Sequence, residues 1–303
     1  MDSQYYSNGK LLLTGEYLVL KGARALALPI KFGQSMEIIL DNSKVINWQS
    51  YQYEQRWFRA TFDKKMNILS GSNDKLARYL KKIIKQAQKI NPDFIQKDFG
   101  YQIKTILNFN KEWGLGSSSS LISNIAYWAG IGPMQLFARV ANGSGYDIAC
   151  ARSKKPIIYQ IKNNNYIFES VNFDPIFKKH LYFVYLNKKQ DSSKEVKKFN
   201  QNKISTKDLS SISELTQGII RVRRLTKFNE LIKKHEQIIA HVIGKEKVKD
   251  KYFKDFDGEV KSLGAWGGDF VLASSNLSEK NTYKYFNNKG FNTIFKFDQM
   301  LIN

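Results

Sequence analysis

The chain has 303 residues, 42% of them hydrophobic and 14% aromatic, which excludes an extended disordered protein and leaves room for two domains. Its formal net charge of +21 would attract phosphates of any kind, but the lysines are scattered and form no arginine-rich block, so we do not expect nucleic acid as a partner. The single cysteine, Cys150, excludes an internal disulfide framework, and the absence of a secretory signal or of an apolar run of about 18 to 20 residues predicts a cytoplasmic protein without membrane contact.

The first part of the chain is dominated by predicted strands. Two β-rich apolar runs occupy the first thirty residues, and Lys21-Gly22 between them is typical of a hairpin turn. Alternating patterns predict further strands around residues 36–40, 57–62 and 101–109. Between the last two, apolar residues recur at helical spacing from Asp74 until Asn91-Pro92, which predicts an amphipathic helix.

Helices and strands are segregated in the rest of the chain. The predicted elements are a Gly-rich turn feeding a buried helix at 114–130, a short helix after Pro133, a hairpin over 157–161 and 166–171, a strand from Leu181, a helical region over about 193–244, and a final β-α-β at 269–273, 278–287 and 292–297. This segregation favours an α+β fold over a doubly wound parallel sheet.

The segment GLGSSSS at residues 114–120 is the strongest candidate for chemistry. Glycines allow the backbone to approach a phosphate, and the N-terminus of the following helix offers N–H groups and a positive dipole end. The segment has neither the pattern of a P-loop nor that of a dinucleotide-binding turn. Taken alone, it is equally typical of a flexible turn.

Three other segments change that interpretation. GKLLLTGEY at 9–17, followed by ALA at 25–27, the GLGSSSS loop, and KSLGAWGGD at 261–269 occur in an order and at separations that resemble the three signature motifs of the GHMP kinases. This family comprises galactokinase, homoserine kinase, mevalonate kinase and phosphomevalonate kinase. GSGYDIA at 143–149 resembles the loop that carries the family's catalytic aspartate, and the GEY and GGD variants resemble the phosphomevalonate kinase branch.

The resemblance extends over essentially the whole chain and implies a fold and an activity. The fold would combine an N-terminal nucleotide-binding half over 1–172, similar to domain 2 of ribosomal protein S5, with a ferredoxin-like half over 173–303 and ATP in the cleft between them. The activity would be transfer of the γ-phosphoryl group of ATP, with Mg²⁺, to a hydroxyl or phosphate of a small metabolite. The leading acceptor is 5-phosphomevalonate of isoprenoid synthesis, and the protein would be a monomer or a homodimer.

Carried over residue by residue, the resemblance also implies the site. Asp147 would be the general base for the acceptor hydroxyl, and Lys10 would keep Asp147 ionised and stabilise developing negative charge. Ser118 would be the magnesium ligand. The residues expected to bind ATP are Gly114, Leu115, Gly116, Ser117, Ser118, Ser119, Gly264, Ala265, Gly267 and Gly268, and those expected to contact the acceptor are Glu16, Tyr17, Ser144 and Gly145.

The sequence departs from the family pattern in two respects. Trp113 and Trp266 stand beside the two glycine loops, where the family usually has small residues, so either could narrow the nucleotide site or stack on a base. No glutamate shortly precedes Asp147, which leaves a second magnesium ligand unassigned. His235 and His241 are six residues apart and would point about 120° apart on a helix, so they predict no metal site.

Several functions remain open at this level. Mevalonate kinase and homoserine kinase activities are close alternatives within the same fold, whereas the motifs of diphosphomevalonate decarboxylase match less well. A different class is a non-catalytic relative that binds nucleotide, or binds nucleic acid through its basic face.

Overall fold

The computed structural model describes residues 3–96, 98–190, 195–196, 199 and 204–302. Contacts divide the chain into two compact units. Unit 1 comprises Met1–Gly9, Phe32–Lys111 and Leu115–Arg152, and unit 2 comprises Lys10–Lys31, Glu112–Gly114 and Ser153–Asn303. This division reflects how the residues pack, whereas the predicted domain boundary at 172/173 came from the family resemblance. The predicted boundary stays a prediction.

Most of unit 1 is built on a mixed β-sheet. The strands in chain order are β1 Ser3–Leu12, β2 Ala25–Asp41, β3 Ile46–Gln52, β4 Gln55–Phe62, β5 Ile68–Gly71 and β6 Gly100–Leu107. Within this unit the strand order is β5-β4-β3-β6-β2, and β1 also pairs with β2. The β3 and β6 pair is parallel, whereas the β2 and β6, β3 and β4, and β4 and β5 pairs are antiparallel.

Among the described residues of unit 1, four α-helices complete the unit and share its core. They are α1 Asp74–Ile90, α2 Ser117–Trp128, α3 Pro133–Val140 and α4 Tyr146–Arg152. Helix α1 begins where the Asn73 side chain accepts a hydrogen bond from the backbone N–H of Leu76, a typical N-cap. Its apolar stripe, including Ile83 and Ile84, packs in one cluster with inward side chains of the sheet such as Trp48.

Unit 2 contains a β-hairpin and a four-stranded antiparallel sheet. The hairpin is β7 Ile157–Lys162 with β8 Asn165–Ser170. Strand β7 pairs with residues 25–27, which lie in the part of β2 that belongs to unit 2. The four-stranded sheet consists of β9 Leu181–Tyr185, β10 Gly258–Ser262, β11 Phe270–Ser275 and β12 Ile294–Lys296, in the order β10-β11-β9-β12. All of its pairings are antiparallel.

The helices of unit 2 give this sheet a ferredoxin-like connectivity. Among the described residues they include α5 Thr206–Arg221, α6 Leu225–Ile243, α7 Val248–Tyr252, α8 Glu279–Asn288 and α9 Phe297–Met300. Helices separate β9 from β10 and β11 from β12, which is the β-α-β-β-α-β arrangement. Along the part of the chain that the structure describes, no helix combines the length and the apolar character needed to cross a membrane.

The α+β fold class is confirmed, and so are helix α1, the hairpin of β7 and β8 and the terminal β-α-β. The predicted hairpin turn at Lys21-Gly22 is wrong. Leu18–Lys21 forms a 3₁₀ helix that ends at Gly22, because Leu18 and Val19 are buried as a helical turn and not as a strand. Ser193, the predicted start of the long helical region, lies outside the described residues.

The buried stripe of α1 gives a test of the core of unit 1. Replacing the fully buried Ile84 by alanine removes methylene groups and leaves a cavity, so I84A should lower the free energy of unfolding by about 2–5 kcal/mol. The neighbouring Lys85 is exposed, and K85A should change it by less than about 0.5 kcal/mol. Urea denaturation of both variants measures the difference; equal effects would contradict this orientation of the helix.

Candidate active site

The serine-rich loop forms the start of helix α2 in unit 1. Gly116 caps the helix with a φ of 101°, in the left-handed region that favours glycine. The Ser119 hydroxyl donates a hydrogen bond to the Gly116 carbonyl, and the Ser120 hydroxyl donates one to the Ser117 carbonyl. The side chain of Ser118 is exposed, so of these serines it is the one that faces solvent. The first bond of the helix runs from the Ser120 N–H to the Gly116 carbonyl, so the N–H groups of Ser117, Ser118 and Ser119 have no helical carbonyl to bind and offer a place for an anion.

Buried polar contacts hold α2 in position from the opposite side. The Ser120 hydroxyl also lies 3.1 Å from the Gln34 side-chain oxygen, and the Asn124 side-chain amide donates to the Gln34 carbonyl over 2.9 Å. The Ser7 hydroxyl contacts Ser123 and Asn124. Sequence reasoning missed this network, because small polar residues within an apolar helix look like ordinary surface positions.

An apolar cavity lies beside the first turn of α2. Its volume is about 130 Å³, and its lining includes Trp48, Ser50, Trp57, Tyr79 and Ser118. The Ser50 hydroxyl accepts hydrogen bonds from Trp48 and Thr105, which leaves its own proton to donate. Among the described residues, the buried indole N–H of Trp57 has no hydrogen-bond partner. The cavity therefore offers aromatic walls and hydrogen-bond donors.

Tyr79 on helix α1 connects this cavity with two predicted site residues. Its hydroxyl lies 2.6 Å from the Ser118 hydroxyl. Burial raises the pKa of the Tyr79 phenol, the bond to Ser118 lowers it, and the negative charge of Asp147 raises it again. Ser118 and Asp147, distant in the chain, thus both act on one phenol in unit 1.

Asp147 lies in the first turn of α4, a seven-residue helix that the sequence patterns did not predict. Its carboxylate accepts a hydrogen bond from the backbone N–H of Ile148, and α4 packs against α2. Of the two residues before Tyr146, Ser144 is buried and Gly145 has a φ of 81°. These two residues shape the turn that presents Asp147, and their predicted contact with the acceptor stays a prediction.

Lys10, Gly114 and Asp269 come together in unit 2. The Lys10 ammonium donates to the Gly114 carbonyl over 2.9 Å. A Cβ at Gly114 would lie 2.3 Å from the Asp269 carboxyl carbon, so only glycine fits there. Asp269 is buried, and its carboxylate accepts from the Gln190 backbone N–H over 2.9 Å. Burial raises the pKa of Asp269, whereas its bond to Gln190 and the charge of Lys10 lower it.

This arrangement gives two predicted site residues contacts within unit 2. Lys10 neighbours the carboxylate of Asp269. The sequence analysis includes Asp269 in the third motif but assigns it no role. The predicted pairing of Lys10 with Asp147 stays a prediction, since the two belong to different units. The backbone of Gly114 lies close to the buried carboxylate of Asp269. The predicted contact of Gly114 with a phosphate also stays a prediction.

The turn between β10 and β11 contains four of the predicted ATP-binding residues: Gly264, Ala265, Gly267 and Gly268. A Cβ at Gly267 would lie 2.8 Å from the Gln190 side-chain nitrogen, and one at Gly268 would lie 2.4 Å from the Lys188 carbonyl oxygen. Gly268 is therefore required by the backbone of a neighbouring segment of the same unit, whereas Gly267 meets only the end of a flexible side chain and is favoured by its φ of 102°. Gly264 has a φ of 62°, and a Cβ at this position would meet nothing within 4 Å, so it is the one of the three glycines with open space beside it.

A buried charge cluster joins the first and third motifs in unit 2. The Lys261 ammonium, fully buried, donates to the Glu16 carboxylate and to the Ser262 carbonyl. It also lies 3.6 Å from the carboxylate of Glu236 on α6, which accepts from the Ser262 backbone N–H. Burial raises the pKa of Glu16 to about 7 and that of Glu236 to about 8, and Lys261 opposes both shifts. One positive charge thus faces two carboxyl groups, so one of them retains a proton near neutral pH.

His235 completes the cluster as a neutral side chain. Its Nε2 accepts from the Gly15 backbone N–H over 2.9 Å, which places the proton on Nδ1. Burial, and then the charge of Lys261, hold the pKa of His235 well below its usual value. His241 is exposed, and the described residues contain no group of three His, Cys, Asp or Glu side chains that could hold a metal ion.

Two of the predicted acceptor-binding residues lie inside unit 2. Glu16 is 1% exposed and bound to Lys261, and Tyr17 packs its ring 5.0 Å from that of Phe199. Their contact with an acceptor stays a prediction, to which this burial lends no support. Trp266 is also buried, in the same apolar cluster as Tyr17.

Trp113 packs within unit 2 as well. Its ring lies 5.3 Å from Phe295, 6.1 Å from Phe270 and 6.4 Å from Tyr185. Each tryptophan therefore has an aromatic or aliphatic environment within its own unit that accounts for its size.

The described residues fit a magnesium ion that is held mainly by its nucleotide. Mg²⁺ prefers hard oxygen ligands and usually takes one or two from the protein and the rest from phosphates and water. Ser118 offers an exposed hydroxyl at an anion-binding helix N-terminus, and no carboxylate cage accompanies it along the described chain. The donor set thus suits a cation that arrives with a triphosphate.

No protein-family model and no curated protein sequence matches this chain. Solved structures do. Phosphomevalonate kinase of Streptococcus pneumoniae, in complex with phosphomevalonate and AMPPNP, is similar with a TM-score of 0.72 and 17% identity over 97% of this chain and 99% of that one. Mevalonate kinase of Methanococcus jannaschii gives 0.70 and 18% over 97% of each chain. Galactokinase of Lactococcus lactis, complexed with galactose, gives 0.67 and 14% over 97% and 92%.

These structures are three of the kinases after which the GHMP family is named. The chain therefore has the GHMP kinase fold over nearly its full length, which confirms the fold implied by the sequence motifs.

The contact between Gly114 and Asp269 predicts a specific sensitivity. In G114A the new methyl group meets a buried carboxylate at a φ of 68°, so steric overlap adds to backbone strain. Gly244 has a similar φ of 65° with nothing within 4 Å, so G244A carries the backbone strain alone. Denaturant unfolding should show a loss at least about 1 kcal/mol larger for G114A than for G244A. Equal losses would contradict the close approach of Asp269.

The proton held by Glu236 makes a contribution to stability that falls with rising pH. The folded state keeps this proton up to about pH 8, whereas the unfolded chain releases it near pH 4.5. The contribution is fully present below pH 4.5 and is lost as the pH rises through about 8. E236Q removes one titrating carboxyl group, so its unfolding free energy should decline less between about pH 5 and 8 than that of the wild type.

Urea unfolding at several pH values measures this slope. The matched control is E230Q, whose glutamate is more than half exposed and bound only to Lys227 on the surface of the same helix. A wild-type slope that E236Q leaves unchanged would contradict the proton count of the cluster.

Proposed function

We propose that the protein is an ATP-dependent kinase that phosphorylates a small metabolite. The observation that carries the proposal is the arrangement inside unit 1, where an exposed serine turn at a helix N-terminus lies beside an aromatic cavity and shares Tyr79 with Asp147. The GHMP kinase fold supports the same function.

The nucleotide would use both parts of this arrangement. Ser117, Ser118 and Ser119, with the backbone of Leu115 and Gly116, would receive the phosphates through N–H groups and the helix dipole. At about 130 Å³ the cavity is smaller than pockets that enclose a whole ligand, so it suits one flat ring system. The donors of Ser50 and Trp57 match the acceptor nitrogens of a purine base.

Asp147 would act as the general base. Its carboxylate would accept the proton of the acceptor hydroxyl at an Oδ atom while the oxygen attacks the γ-phosphorus and ADP leaves. Lys10 would stabilise negative charge that develops during the transfer. Mg²⁺, bound to Ser118 and the phosphates, would neutralise part of the triphosphate charge.

For the acceptor we propose a phosphorylated mevalonate-type metabolite. The GEY and GGD motif variants support the phosphomevalonate kinase branch, and the formal charge of +21 suits an anionic acceptor. Mevalonate and homoserine are the alternatives, and a cytoplasmic location and a monomeric or homodimeric state remain predictions alongside them.

The test is ADP production with mevalonate, 5-phosphomevalonate, homoserine and simple sugars. With the preferred acceptor, D147N should lose about 10²- to 10⁴-fold in kcat because the base is removed, with a much smaller change in the KM for ATP. D93N, a change at an exposed loop aspartate of the same unit, should leave kcat unchanged.

Two outcomes would contradict the proposal. One is acceptor-independent ADP release that is equal in the wild type and D147N. The other is salt-sensitive binding of RNA without any ATP binding, which would instead identify a nucleic-acid-binding relative.

A further inference from the structure

Tyr79 is the described residue that joins the most parts of the candidate site. Its ring lines the aromatic cavity, its hydroxyl contacts Ser118, and the charge of Asp147 acts on its phenol. None of the sequence motifs includes it, since in the sequence it is one apolar position in the stripe of α1.

The position of the Tyr79 hydroxyl is fixed by the helix that carries it. Its neighbours Ala77 and Leu80 are buried in the core of unit 1, and the N-cap at Asn73 sets the start of α1. The Ser118 hydroxyl, in contrast, is exposed and can rotate about its Cβ–Oγ bond. The 2.6 Å contact with the Tyr79 hydroxyl therefore restrains the orientation of the Ser118 hydroxyl.

The direction of this hydrogen bond determines what Ser118 can offer to a cation. A serine hydroxyl has one proton and two lone pairs. If the proton is donated to Tyr79, both lone pairs remain available, and a hard cation requires a lone pair of oxygen. The phenol oxygen of Tyr79 has lone pairs of its own, so it can accept the hydrogen bond from the Ser118 hydroxyl over this distance.

We propose that Tyr79 is a positioning residue. Its hydroxyl accepts a hydrogen bond from the Ser118 hydroxyl and so orients the lone pairs of the serine oxygen toward a divalent cation that arrives with ATP. This inference rests on the proposed function. It also explains how a single hydroxyl can serve as the protein ligand where the described residues form no carboxylate cluster.

The test measures binding and not turnover. Calorimetry gives the affinity for ATP with MgCl₂ and with EDTA, and the ratio of the two is the magnesium-dependent gain. Y79F keeps the ring and removes the hydroxyl, so the gain should fall about 3- to 10-fold, the range expected for one hydrogen bond. The affinities for adenosine and for ATP in EDTA should not change, because neither depends on the orientation of Ser118 toward a cation.

A double-mutant cycle with S118A decides whether Tyr79 acts through Ser118. S118A alone should lose at least as much of the gain as Y79F, and Y79F in the S118A background should have no further effect. Y51F is the matched control, since Tyr51 donates to Gln49 on strand β3 over a similar 2.7 Å and does not line the cavity. If Y79F folds poorly, Y79M, which also removes the hydroxyl but keeps a flexible apolar side chain, should show the same loss of the gain.

The outcomes separate this inference from the proposed function. No ATP binding by the wild-type protein, with or without magnesium, would contradict the proposed function itself. Magnesium-dependent binding by the wild type with the full gain retained in Y79F, or with additive losses in the double variant, would overturn only the role of Tyr79. A loss of adenosine affinity in Y79F equal to the loss for MgATP would assign Tyr79 to the cavity wall and overturn the inference as well.

Discussion

The first turn of helix α2 must be held firmly in place while its backbone N–H groups stay unpaired within the helix, and the candidate site of unit 1 depends on this condition. Unpaired polar groups cost free energy unless a ligand or water satisfies them. Hydrogen bonds from Ser120 and Asn124 to Gln34 in the buried interior hold the helix from its opposite side without occupying those N–H groups. At the turn itself the Ser118 side chain contacts Tyr79, and the backbone N–H groups are left for a ligand or water.

A different constraint acts in unit 2, where Lys261 is fully buried. An isolated ammonium would be very costly there, and Glu16 compensates its charge. Glu236 then needs a proton, because a second carboxylate would exceed the single positive charge. The result is a polar connection between the first motif, helix α6 and the strand that leads into the third motif. Such a connection fixes the register of distant segments at some expense in stability, which is a reason for its sensitivity to pH.

The sequence predicted those features that depend on local pattern. The spacing of apolar residues and the Asn91-Pro92 stop predicted α1 within a residue at each end. The glycines and serines predicted the turn before α2. At Lys21-Gly22 the same local reasoning failed, since burial of Leu18 and Val19 was decided by packing elsewhere in the chain.

Features that depend on distant pairs could not be predicted in this way. Lys261 lies 245 residues from Glu16, and nothing in either segment identifies the other as its partner. Tyr79 and Ser118, 39 residues apart, belong to different helices, and Tyr79 differs from other stripe residues only by its hydroxyl. Gly114 was expected to allow a phosphate to approach, which stays a prediction, whereas the group that approaches it in the structure is the carboxylate of Asp269.

Low sequence identity and a retained fold are compatible in this protein for a physical reason. At 14 to 18% identity most side chains differ from those of the kinases with the same fold. The groups that the proposed chemistry requires from unit 1 are a helix N-terminus, one hydroxyl, one carboxylate and a flat apolar cavity. The first is a property of the backbone and the last needs only aromatic side chains of suitable size, so both survive extensive substitution. The orientation of the one hydroxyl is the exception, because it depends on a single partner atom, and for that reason Tyr79 is the position where a small chemical change should have the most specific effect.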